Sequence, residues 1–245
     1  MPFATKHDKI VSKVKKVNIV GLWLKALLFG GIIFALVLGY SLLAREGELG
    51  NRLLGNVAAN TGMVMIGISF MLSGLTFFWD FVDTKILYRK HIGLVGFYLI
   101  LAHVVLKLDF YFAKPKIALG TSLSVISFMI ALFALFIFIL MTAISNRYSV
   151  KELGGKAWRK LLRLGYVAYF FAVIHFGIEK LDHWEEWINQ KPISFPPFSL
   201  LLVIFGFLVF GLRIALEIAV RKKRSKAANN EELGTKDEEV ESDGT

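Results

Sequence analysis

Cysteine is absent from this sequence. That excludes disulfide staples, thiol nucleophiles, thiolate-held iron–sulfur clusters and covalent haem attachment through a C-x-x-C-H segment. Any metal centre is left with histidine, methionine or oxygen ligands. Walker-type and dinucleotide glycine motifs are missing too, as is any domain-sized polar extension, so no recognised fold for binding a nicotinamide cofactor is encoded. Proline is scarce, and three of the five, Pro192, Pro196 and Pro197, fall in one segment between apolar runs. Acidic residues barely enter those runs: Asp80, Asp109, Glu179 and Glu217 all lie near their ends.

What is abundant is apolar surface. Of 245 residues, 56% are hydrophobic, and the mean hydropathy is +0.59, more than a water-soluble domain of this size covers with polar groups. A spanning helix needs roughly 20 apolar residues. Six runs qualify: 19–44, 57–82, 92–112, 120–144, 161–179 and 199–220. The expected fold is therefore all-α, a polytopic membrane bundle of about six transmembrane helices. The first run follows basic residues, yet it is longer than a signal-peptide core and lacks a small-residue cleavage site, so it reads as a retained helix. The expected organisation is a basic N-terminal segment (1–18), a six-helix transmembrane domain (19–220), and a tail (221–245) that is basic, then acidic and disordered.

The net charge of +10 could suggest nucleic acid, but the cations gather at alternate ends of the runs. With the N-terminus inside, 20 Lys and Arg fall on one side and 7 on the other, leaving Lys25 and Arg213 within helices. The positive-inside rule then places both termini in the cytoplasm. The basic excess is a topology signal, with membrane lipid and no nucleic acid as the implied partner.

Of the five histidines, His7 and His183 lie in polar surroundings, and His91 stands beside Arg89 and Lys90 at the inner interface. His103 and His175 lie deep in apolar runs, where an imidazole is costly unless it has a partner or a function. The two runs enter the membrane in the same direction, and the histidines stand 14 positions beyond Arg89 and 15 beyond Lys160. At about 1.5 Å per residue they reach nearly the same depth, toward the outer face. Two such imidazoles suit the axial sites of an iron porphyrin. The bland alternative is that each histidine bonds a neighbouring helix. Lys107, one turn past His103, either reaches a haem propionate or snorkels outward. Arg213 and Glu217, four apart, predict a local ion pair, with a propionate contact as the other option for Arg213.

Two segments carry a family resemblance. One is Arg89-Lys90-x-Ile92-Gly93-Leu94-x-x-Phe97-Tyr98, leading to His103. The other is Leu153-Gly154-x-x-x-Trp158-x-x-Leu161-x-Arg163-Leu164-x-Tyr166, leading to His175. Together they resemble the ferric reductase-like transmembrane family, and within it the haem-binding membrane subunits of bacterial methionine-sulfoxide reductase systems. The resemblance implies that His103 and His175 are the paired axial ligands of an outer-side haem b. It also implies a bacterial inner-membrane location. The family usually carries another histidine thirteen residues before the last ligand, where this chain has Leu162. Leucine cannot ligate iron, which puts a second, inner haem in doubt and leaves His91 as the candidate substitute ligand.

The expected function is an oxidoreductase subunit of cytochrome b type. It takes electrons from a quinol, a flavin such as FMN, or a partner donor, and delivers them to ferric iron or a periplasmic reductase partner. Competing readings are a transporter whose histidines relay protons, against which stands the absence of evident broken helices, internal repeats or midplane carboxylates, and an assembly subunit whose haem site has decayed.

Overall fold

The computed structural model describes residues 18–44, 50–79, 85–113, 120–190 and 195–242. The expected basic segment before Asn18 lies outside the described residues, as do Asp80, Arg45, Lys114, Lys116, Lys191 and Pro192. Among the described residues eight helices follow in order: α1 (Ile19–Leu43), α2 (Asn51–Phe78), α3 (Ile86–Ala113), α4 (Ser122–Ile144), α5 (Arg147–Leu162), α6 (Leu164–Ile178), α7 (Leu181–Asn189) and α8 (Phe198–Ser242). No strand occurs among the described residues. Six helical segments are long and apolar enough to cross a membrane, lying in α1, α2, α3, α4, α6 with the end of α5, and α8. The ends of the bundle are called inner and outer after the orientation that the charge asymmetry predicts.

Three of the helices, α1, α4 and α5, start where a side chain satisfies one of the first free backbone N–H groups. Asn18 accepts from Gly21 N at 3.0 Å, Thr121 from Ser124 N at 3.1 Å and Asn146 from Ser149 N at 2.7 Å. α2 is the central element and the most deeply buried of the six spans. It packs most extensively on α3, while α4 packs on α6, and α8 closes against α2 and α6. The main core joins Met63, Ile66 and Phe70 of α2 to Phe97, Phe138, Tyr169, Val173, Leu202 and Val209 from the surrounding helices. Outside, leucines, isoleucines and phenylalanines such as Leu28, Leu36, Phe136, Phe207 and Ile214 are exposed, as lipid-facing surfaces require.

Several expected boundaries shift. α2 begins at Asn51 and α3 at Ile86, each six residues before the expected start, because a helix continues its backbone bonding past the apolar run into the interface. The stretches between expected spans, 145–160 and 180–198, are largely helical: the first holds most of α5, which runs on to Leu162, and the second holds α7. Both are polar, amphipathic helices, and α5 bends at Gly154, whose φ of 72° favours glycine. α5 is tied down by Trp158 Nε1, which donates to Ile144 O at 3.0 Å. α7 is tied by Trp184 Nε1 to Ser199 Oγ at 2.8 Å. The backbone also stays helical to Ser242, where a disordered tail was expected. Its Ala, Glu, Lys and Arg are strong helix formers, and no proline interrupts them.

Candidate functional site

The contact that sets the site is between two glycines. A Cβ on Gly62 of α2 would lie 2.7 Å from the carbonyl of Gly96 on α3, and one on Gly96 would lie 2.8 Å from that of Gly62. Only glycine lets the backbones meet there. Seven residues outward along each helix, on the same face, stand Gly55 and His103. The Nδ1 of His103 bonds the Gly55 carbonyl at 2.8 Å. A carbonyl only accepts, so Nδ1 carries the proton, and the neutral ring presents its Nε2 lone pair.

The second histidine repeats this arrangement with a shift of 72 residues. Ala134 and Ala168, both buried, correspond to Gly62 and Gly96. Seven residues outward stand Ser127 and His175. His175 Nδ1 lies 2.9 Å from Ser127 Oγ and 3.1 Å from Ser127 O, while Ser127 Oγ is 3.4 Å from the His175 carbonyl. In each pair the partners are 48 residues apart. No repeat is evident in the sequence because its signal is a few small residues in otherwise unrelated apolar helices.

Around the outer end, Arg52, Lys107, Glu179 and Lys180 form one electrostatic neighbourhood. Arg52, Glu179 and Lys180 also line a cavity of about 650 Å³ between α2, α6, α7 and α8. Asn60, only 4% exposed, belongs to that lining, and its Oδ1 is a buried acceptor without a protein donor.

The other candidates lie elsewhere. His91 packs toward α1, with Trp23 edge-on at 5.1 Å and its own Nδ1 3.4 Å from Leu87 O. It stands twelve residues inward of His103 and rotated by about a third of a turn, so it does not join the pair. Arg213 sits toward the inner end in an ion pair with Glu217 at 3.3 Å, the local pairing that the spacing predicts. Among the described residues, no group of three or more His, Cys, Asp or Glu is placed to hold a metal ion. A haem site asks less of the protein, since the porphyrin supplies the equatorial ligands and two imidazoles suffice. Sequence reasoning missed Gly55, Ser127 and Asn60, residue types that carry no signature until the helix pairing is known.

Fold and site together define a polytopic helical membrane protein with a pair of half-buried, oriented imidazoles near one end of the bundle. No family model matches the chain. Among curated proteins it is similar to the protein-methionine-sulfoxide reductase heme-binding subunit MsrQ of Agrobacterium fabrum. The two are 31% identical over 145 residues, 58% of this chain and 61% of that protein. The chain thus spans about three-fifths of the length of the curated relative it matches.

Proposed function

We propose that this chain is a haem-binding electron-transfer subunit of a membrane reductase, with one haem b held between His103 and His175. The observation that carries the reading is the shared orientation of the two rings, each committed through Nδ1 to a neighbouring helix with Nε2 left as ligand. That is the donor set a bis-imidazole haem requires, with the outer bond fixing tautomer and ring direction. The named haem-binding relative supports it.

Bound haem supplies a one-electron ferric/ferrous couple. The chain's own residues do the rest. Gly55 and Ser127 orient the two imidazoles, the apolar core keeps water from them, and the cations Arg52, Lys107 and Lys180 offer counter-charges for propionates at the outer rim. Arg213, engaged with Glu217 at the other end, has no part in this site, and neither has His91. Leu162 offers no ligand at the inner end, so a single haem is proposed.

The orientation follows the positive-inside rule, with both termini in the cytoplasm and an inner-membrane location. A separate donor, a quinol, a flavin or a partner protein, feeds the chain. The acceptor is on the outer face, a periplasmic reductase or ferric iron.

The test is the reduced-minus-oxidised spectrum and pyridine haemochrome content of the purified protein, with His103→Ala and His175→Ala. A b-type spectrum at about one haem per chain, lost in both variants, is expected. A wild type expressed with ample haem and showing no such spectrum would sink the proposal.

A further inference from the structure

The outer end of the bundle holds a cavity that neither histidine of the pair lines. Its volume of about 650 Å³ falls within the roughly 300–1,000 Å³ usual for small-molecule sites. One wall is α2, whose Arg52, Asn56 and Asn60 recur every four residues, so they share a face and step inward about 6 Å at a time. A second wall is the end of α6 with α7, carrying Glu179, Asp182 and Glu186. Glu179 N donates to His175 O at 3.1 Å, which sets this wall one turn beyond the histidine.

The floor is polar where a bundle interior is normally apolar. Asn60 and Ser199 both line the cavity, and each is only 4% exposed. Asn60 Oδ1 has no donor among the described residues. A carboxamide within a span is costly unless it is partnered, and a buried acceptor left unmet calls for a donor that the described chain does not supply. Ser199 Oγ accepts from Trp184 Nε1 at 2.8 Å and keeps its own proton to donate.

The lining also selects the kind of molecule. Among the described residues that form it, only Leu53 is apolar, so a flat ring such as a flavin, a quinone or a porphyrin finds no apolar wall here. Both signs of charge are present instead, on different walls. The Arg52 guanidinium suits a carboxylate, and the carboxylates of Asp182 and Glu186 suit an ammonium. Lys107, which is not part of the lining, stays available to a haem propionate.

We propose that this outer cavity binds a small zwitterion, an amino acid or a short peptide with free amino and carboxyl groups. Its carboxylate meets Arg52, its ammonium meets the α7 carboxylates, and its N–H groups satisfy Asn60. The site does not depend on whether His103 and His175 hold haem.

Full-length protein in a non-ionic detergent is titrated at constant ionic strength with L-alanine and, separately, with trialanine, and the thermal unfolding midpoint is read. N-acetylalanine amide, which lacks both charges, is the control. At least one zwitterion is expected to raise the wild-type midpoint saturably. A response to alanine assigns the site to amino acids, and a response to trialanine alone assigns it to peptides. Asn60→Leu and Glu186→Gln should each weaken the apparent affinity about tenfold. Glu185→Gln, an equally exposed change on α7 that does not touch the lining, should leave it unchanged. Because Glu186 is exposed, its variant tests the site even if Asn60→Leu does not fold. The proposal is overturned if neither zwitterion shifts the wild type, if the uncharged control is equally effective, or if the Asn60 and Glu186 variants respond as the wild type does.

Discussion

His175 and Ser127 are joined through more contacts than His103 and Gly55: Nδ1 lies 2.9 Å from the serine hydroxyl and 3.1 Å from its carbonyl. The same hydroxyl lies 3.4 Å from the His175 carbonyl. His103, by contrast, meets a single acceptor, the Gly55 carbonyl. The two rings are therefore equivalent in tautomer but unequal in restraint, since the serine fixes both the ring and the backbone that carries it. Partners that orient a ligand typically account for about tenfold or more in affinity. Ser127→Ala should leave the Ser127 carbonyl as the only acceptor and speed haem loss to apomyoglobin roughly tenfold, with a smaller effect for Ser127→Thr, which keeps the hydroxyl. Equal loss rates in wild type and Ser127→Ala would remove the serine from any positioning role.

The small residues two turns inward carry a second prediction. At Gly62 a side chain would enter the Gly96 carbonyl, and Ala168, the counterpart of Gly96 in the other helix pair, is fully buried. Gly62→Leu and Ala168→Leu should each force their helices apart, at about 1–3 kcal/mol for overpacking. The consequence is directional: the first loosens His103 from Gly55, and the second loosens His175 from Ser127. Thermal unfolding in detergent together with haem content measures both. Unchanged haem content with a lowered midpoint would show that crossing distance and ring orientation are independent.

Much of this was legible in the sequence. The six spans announce themselves because lipid demands long uninterrupted apolar runs, and His103 and His175 announce themselves because an imidazole in such a run needs a reason. The Arg213–Glu217 pair follows from helical spacing alone. α5 and α7 were not legible as helices, since interfacial amphipathic segments have neither the length nor the hydropathy of a span and are stabilised by contacts such as Trp184 with Ser199. Gly55 and Ser127 were hidden for a different reason. Glycine and serine are common in membrane helices, and their role depends on which carbonyl faces which ring, a property of helix pairing.

His91 yields a contrast. Its edge contact with Trp23 and its distance from the pair make it part of the α1–α3 interface. His91→Ala should keep the full haem content while lowering stability by roughly 0.5–1.5 kcal/mol, the worth of an aromatic pair. Haem content and thermal unfolding on the same sample separate the two effects. A halved haem content in this variant would assign His91 to a second centre and contradict the single-haem proposal.

The absence of cysteine makes orientation directly testable, because any introduced thiol is unique in the chain. Lys151 lies on α5 at the inner end and Asn189 on α7 at the outer end, and both are exposed. The 20 to 7 distribution of cations predicts the inner end in the cytoplasm. In intact cells with a permeable outer envelope, a membrane-impermeant maleimide should label Asn189→Cys and leave Lys151→Cys unlabelled until the inner membrane is opened. That outcome puts His103 and His175 on the side away from the cytoplasm, so electrons from a cytoplasmic donor must cross the inner half of the bundle before reaching them. The reverse labelling would place the pair beside the cytoplasm and make an outer-face acceptor untenable, even with the haem site intact.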